Sequence, residues 1–328
     1  MLTQNNPLWY ARNGVWKRLG RTDKSPPSSQ LITPGYYLGG GADINPDMTT
    51  YNINLKGHTT YTSWAQGIDA FPRTSWEDTL GRNGFMINYV WEPKVYSNSQ
   101  GSHYVSPNAT MVNWGAQQFY GWTQVTSGAL DPLLTDVANA VKALPYNINI
   151  QICSERDTDH QSGGAINGTS YTWAQLDALS VTAISYIINF FKNTMGVTNV
   201  TFSGGIAGFN QAAFDRSYCS DVDVIQYNAY NHGTWQDALP VFSRTYAWLT
   251  DLPADSETKP VWLAEWGCMA DARRPAWLES VPAAVGNLPR IAYMSYFNSG
   301  WGQILSSDTT SMQALATCYN DRIFGGTG

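Results

Sequence analysis

The sequence predicts an α/β fold, a (β/α)8 TIM barrel with an N-terminal arm, and three observations support this. Short apolar runs alternate with longer helical patterns from Gly35 onward, the order expected of a parallel sheet with crossover helices. The length of 328 residues suits one barrel of about 250 residues with long loops. Hydrophobic residues make up 43% of the chain and charged residues only 13%, so a sizeable core is available while the surface depends on uncharged polar groups.

Residues 1–34 read as an arm and linker, because Trp9, Tyr10 and Trp16 lie beside Lys17, Arg18 and Arg21 and precede Pro26-Pro27-Ser28-Ser29. Its aromatic residues either dock onto something larger or strap the arm along the barrel's own outer surface. Residues 35–328 are assigned to the barrel. Candidate strands fall at 36–38, 85–91, 147–153, 199–203, 222–227, 260–265 and 291–297. An eighth is expected between Gly41 and Gly84, where Thr, Tyr and Gly blur the alternation. Helical patterns fall at 131–144, 173–195, 235–249, 277–285 and 309–323. The first has Asp131 as N-cap before Pro132 and an apolar stripe of Leu133, Leu134, Val137, Val141 and Leu144. The second has a Thr172 cap and closes at Gly196.

Composition excludes several classes. A net charge of −6 argues against nucleic acid, whose phosphates are bound through clustered Lys and Arg. No uninterrupted apolar run approaches the roughly 20 residues that span a bilayer, and residues 1–7 lack the charged-then-apolar order of a signal peptide. Membrane insertion and secretion by the usual route are therefore not expected. Cys153, Cys219, Cys268 and Cys318 lack C-x-x-C spacing and are expected to be free thiols, and no cofactor is implied. Fourteen Trp and nineteen Tyr exceed what one core needs, and exposed aromatic faces suit stacking on the apolar C–H faces of sugar rings.

Two glutamates stand out by position. The alternating run 147–153 stops at Ser154-Glu155, and the run Pro260-Val261-Trp262-Leu263-Ala264-Glu265 ends the same way before Trp266-Gly267. In a parallel barrel all strand C-termini lie on one face, so acids remote in sequence would meet at one mouth. Glycoside hydrolysis needs such a pair, one to protonate the leaving oxygen and one to attack the anomeric carbon, about 5 to 5.5 Å apart when configuration is retained. The alternative is that each glutamate caps a strand or pairs with an Arg. A third acid, Glu92 in Trp91-Glu92-Pro93, has a structural or sugar-binding part. Asp157, Asp159 and His160 could in principle hold Ca²⁺, but their loop lacks the Gly and terminal Glu of an EF-hand, and no metal is assigned.

From Gly35 to Ile323 the chain resembles glycoside hydrolase family 26, the family of β-mannanases. The landmarks are Trp91-Glu92-Pro93, Ser154-Glu155, Gly196-Val197-Thr198-Asn199-Val200, the run from Asp223 to Tyr230, the run 260–267 and the run 291–298. The resemblance implies a retaining barrel with Glu155 as acid/base, Glu265 as nucleophile and Tyr230 holding the nucleophile by a hydrogen bond. The family has His where this chain has Ser154, and Asp where it has Asn228. His160 is either a spatial substitute for that histidine or an exposed loop residue. Glycan is expected to bind through Trp91, Tyr227, Tyr230, Trp235, Trp266, Phe297 and Trp301, with Glu92, Asn228 and His160 as polar partners. The aromatic arm and the Asn/Thr/Ser/Gly-rich composition also resemble bacteriophage tail proteins. That likeness implies a minor tail protein in the virion tail, with a host cell-envelope polysaccharide as ligand and other tail proteins as partners through residues 1–34. The alternatives are an adhesin that binds glycan without turnover and a free β-mannanase.

Overall fold

The computed structural model describes residues 9–12, 15–18, 31–64, 70–92, 122–159, 164–166, 169–208, 221–250 and 259–326. Strands β1 (Trp9–Arg12) and β2 (Val15–Arg18) form a two-stranded sheet in the arm. Then follow β3 (Thr33–Leu38), β4 (Gly57–Ser63), β5 (Met86–Glu92) and β6 (Ile148–Ile152). A short antiparallel pair, β7 (Gly164–Ile166) and β8 (Thr169–Tyr171), comes next. The chain continues through β9 (Val200–Gly204), β10 (Val224–Asn231), β11 (Val261–Cys268) and β12 (Ile291–Asn298). Eight of these, β3 to β6 and β9 to β12, close a parallel barrel in chain order, with β12 returning to β3.

The helices are α1 (Asn45–Tyr51), α2 (Ser75–Arg82), α3 (Trp122–Thr126), α4 (Asp131–Lys142) and α5 (Arg156–Asp159). After them come α6 (Trp173–Asn189), α7 (Ala238–Thr250), α8 (Arg274–Val285) and α9 (Thr309–Tyr319). The chain divides into two compact units, within β4 after residue 60 and again after residue 224.

The eighth strand, β4, lies inside the window that the sequence left blank. Its residues Gly57-His58-Thr59-Thr60-Tyr61-Thr62-Ser63 are buried at all positions but Tyr61, so no polar face announces it. Its polar side chains find partners inside: His58 Nδ1 lies 3.1 Å from the Tyr36 carbonyl, and Thr59 Oγ1 lies 3.0 Å from the Tyr293 hydroxyl. Gly35 and Gly57 admit the Tyr293 ring across β3 and β4, since a Cβ on either would stand 2.3 or 2.4 Å from it.

The cap expected at Thr172 is present as a full capping box with Gln175. The cap expected at Asp131 is not. Leu130 is the N-cap, Asp131 is the first residue of α4, and its carboxylate accepts the Tyr186 hydroxyl at 2.8 Å. Helix α7 begins at Ala238 rather than 235 because Asn231 binds Gln236 through both its amide oxygen and its amide nitrogen, at 3.0 and 2.7 Å.

The stretch Ala174–Thr194, α6 with a π-helical turn after it, is long and apolar enough to cross a membrane by length and composition. Half of that window is buried in the protein, and it carries Asp177 in a buried ion pair with Arg156 at 2.6 Å. Ser180, Thr182 and Ser185 interrupt the apolar run, which is why no continuous one shows in the sequence.

Candidate active site

Glu265 lies on β11 and is 4% exposed. Strands β10 and β11 pair Tyr227 with Leu263 and then Asn228 with Glu265, so Ala264 is an extra residue on β11. A bulge of this kind re-aims the next side chain. It brings Glu265 into register with Asn228 and two pairs below Tyr230, whose partner is Gly267. The Tyr230 hydroxyl donates to Glu265 Oε2 at 2.5 Å. Donation to a carboxylate favours its ionised form, which is the form able to attack carbon. The strand also runs three residues beyond Glu265, to Cys268, so the acid sits within the last turn of pairing rather than at the strand's end.

Glu155 lies three residues past β6, between Ser154 and α5. Cys153 takes a left-handed backbone conformation, φ 64°, that turns the chain off the strand. Three contacts hold the turn. The Ser154 amide donates to Glu92 Oε1 at 2.9 Å, Arg156 pairs with Asp177, and Asp157 accepts the Ala207 amide at 2.6 Å. Gly205 is needed beneath it, because a Cβ there would stand 2.4 Å from the Ser154 carbonyl oxygen. Of residues 153–157 only Glu155 is not buried.

The aromatic residues divide. Trp91, Tyr227 and Trp266 are fully buried, and this corrects their expected part as sugar platforms. Trp91 packs against Trp64, Phe71 and Phe191. Tyr227 donates to the Phe242 carbonyl at 2.9 Å, and burial pushes its phenol well above the ordinary range. Trp266 donates to the Tyr319 hydroxyl at 3.1 Å and packs on Phe242 and Tyr296. Tyr230, Trp235 and Phe297 are only half-buried. Phe297 stacks on Tyr37 with centroids 4.8 Å apart and meets Tyr230 edge-on at 6.1 Å, so Glu265, Tyr230, Phe297 and Tyr37 form one cluster. Trp235 carries the Arg273 guanidinium 4.4 Å from its ring centroid. That guanidinium also holds Asp271 by paired bonds of 2.8 Å, which keep the carboxyl well below the usual range. Trp301 sits in the short helical turn Gly300–Gly302, and His160 lies outside the described residues.

Sequence reasoning missed Tyr37, Asn231 and Asn298. A signal for the two asparagines was available in the repeated pattern Tyr230-Asn231-His232-Gly233 and Phe297-Asn298-Ser299-Gly300. In each, the Asn closes a strand and its side-chain oxygen accepts an amide from the loop beyond, Gln236 at 3.0 Å or Ile304 at 2.6 Å. The Gly of each takes a positive φ, 77° or 55°, that turns the loop. These loops carry Trp235 and Trp301. Asn298 also donates to the Tyr36 hydroxyl at 2.5 Å, and that hydroxyl donates to Asp47 at 2.8 Å.

No protein-family model matches the sequence, and no curated protein does. Solved structures do match. The catalytic domain of an endo-β-1,4-mannanase of glycoside hydrolase family 26 from Bacillus sp. JAMB-750 superposes with a TM-score of 0.60 at 15% identity, over 90% of this chain and 86% of that one. This chain shares its barrel fold with that structure. The GH26C protein of a Muricauda species gives a TM-score of 0.57 at 15% identity, over 88% of this chain and 86% of that one. The Bacillus subtilis mannanase man26 gives 0.56 at 12% identity, over 91% and 86%. At such identities the likeness is one of fold.

Proposed function

We propose that the chain is a retaining glycoside hydrolase acting on a polysaccharide, with Glu265 as nucleophile and Glu155 as acid/base. The observation that carries this reading is the buried Glu265 carboxylate accepting the Tyr230 hydroxyl within an aromatic cluster. The family 26 fold neighbours support it, since those named above are mannanases or members of that family. Glu265 would attack the anomeric carbon while Glu155 protonates the departing oxygen, and Glu155 would then activate water to release the sugar. Phe297, Tyr230, Trp235 and Trp301 would bind the glycan, with Asn228 and His160 as polar partners.

The test is product release from a panel of β-mannan and bacterial envelope polysaccharides, read by new reducing ends. Wild type should release sugar, and Glu265→Gln should reduce turnover by about three orders of magnitude or more with little change in glycan affinity. Glu155→Gln should slow glycosyl-enzyme formation mainly on substrates with poor leaving groups. Binding without any release by the wild type would favour an adhesin instead. We place the protein in a phage tail, with residues 1–34 contacting neighbouring tail proteins. The aromatic and basic residues of that arm support this setting. Absence of the chain from purified particles would refute the placement.

A further inference from the structure

We infer that Glu92 is a positioning residue that sets the geometry of Glu155, and not the glycan ligand the sequence suggested; this rests on the hydrolase reading above. Glu92 closes β5, is 5% exposed, and accepts the amide of Ser154, the residue directly before Glu155. The preceding residue, Cys153, is the only non-glycine besides Asn52 with positive φ among the described residues. Such a conformation persists at a residue bearing a side chain only where its surroundings over-determine it. Here they do. The Cys153 amide donates to the Trp91 carbonyl at 3.4 Å and the Ser154 amide to Glu92, so two successive residues of β5 hold two successive amides of the turn.

The other side of Glu155 is anchored separately, through Arg156 to Asp177 and Asp157 to the Ala207 amide. The peptide joining Cys153 to Ser154 thus has one charged acceptor, and a charge-assisted bond is roughly twice as strong as a neutral one. Its orientation directs the Glu155 side chain, the one side chain of 153–157 that is not buried. Small misplacement of an acid/base is costly, with about 1 Å worth roughly a hundredfold in rate.

The test compares Glu92→Ala and Glu92→Gln with the wild type by hydrogen–deuterium exchange of residues 153–157 and by kinetics on phenyl and dinitrophenyl β-mannobioside. Loss of the acceptor should speed exchange in that segment. It should lower kcat on the phenyl glycoside about a hundredfold, with KM nearly constant. In kcat/KM, which reports glycosyl-enzyme formation, the dinitrophenyl glycoside should lose far less, because its leaving group needs no proton. Glu92→Gln retains an oxygen acceptor and should recover most of both losses. Equal losses of kcat/KM on both glycosides would show a merely structural role, and a higher KM at constant kcat would show a glycan ligand; either overturns the inference. Unchanged exchange in Glu92→Ala also overturns it, without touching the hydrolase reading. A wild type silent on both glycosides and on the polysaccharide panel above, with exchange still faster in Glu92→Ala, refutes the hydrolase reading and with it the positioning role, while leaving the contact itself established.

Discussion

The Tyr230 phenol donates its hydrogen to Glu265 Oε2 at 2.5 Å. Its ring also rests edge-on against Phe297, so the donor is held in place by packing as well as by its own bond. Tyr230→Phe keeps that packing and removes the donor. Turnover should fall roughly ten- to hundredfold, within the 1.5–3 kcal/mol range of a hydrogen bond to a charged group, while the thermal midpoint moves little. A variant with wild-type kcat/KM would show that the phenol is not part of the machinery. Glu92 differs from Glu265 in its donor. Both are buried acids on barrel strands, but one accepts a backbone amide and the other a side chain beside an aromatic cluster.

At the scale of elements, the turn from β6 into α5 depends on its ties to α6 and to the loop after β9. Arg156 and Asp177 form a pair with both side chains almost wholly buried, 0% and 1% exposed. Removing one partner leaves a charge in a medium that cannot solvate it, so Asp177→Ala should destabilise the fold by about 3–5 kcal/mol. Denaturant midpoints at constant slope measure this, and a loss below about 1 kcal/mol would mean that water reaches Arg156. Helix α6 starts where its Thr172 capping box predicts. Helix α4 does not follow the same rule, because Asp131 bonds Tyr186 of α6 across the packing interface in place of its own backbone. A local cap and a tertiary partner compete for one carboxylate, and sequence patterns register only the cap.

For the molecule as a whole, the aromatic content becomes a titration property. Burial raises the phenols of Tyr36, Tyr89, Tyr227, Tyr296 and Tyr319 well above their ordinary range, and pushes Tyr293 and the Cys268 thiol up to about 12. The folded chain therefore keeps protons that the unfolded chain releases above about pH 10 for phenols and about pH 8.5 for the thiol. Stability attached to these groups is intact below those values and is lost as pH rises through the folded values. Each raised group weakens the fold by about 1.4 kcal/mol per pH unit across its window. Phenolate absorbance followed from pH 8 to pH 13 should show the exposed tyrosines ionising first. The buried ones should ionise only as circular dichroism records unfolding. A smooth titration of all nineteen tyrosines near pH 10 with the fold intact would contradict the burial described here.

The order of the barrel was legible in the sequence, because strands of a parallel sheet are short apolar runs separated by helix-length patterns, and chain order is also spatial order here. The two glutamates were legible for the same reason, as acids closing such runs. Which side of the wall an aromatic residue faces was not. Strands buried on both faces read as continuous apolar runs. Trp91 and Trp266 in the core are thus indistinguishable in sequence from Phe297 beside Tyr230. The polar interior was hidden too. Asn88, Asn149, Thr201 and Ser203 satisfy one another across β5, β6 and β9, and Thr59 meets Tyr293, so residues that read as surface are buried. The sequence by itself determined the order and approximate place of most strands and of the longer helices, and which acids end up near strand termini, since these follow from local periodicity and turn chemistry. Tertiary structure alone decided the bulge that aims Glu265, the anchoring of the Glu155 turn by Glu92, and the sorting of aromatic rings between core and surface. Each of these depends on a partner tens of residues away, and local pattern carries no record of it.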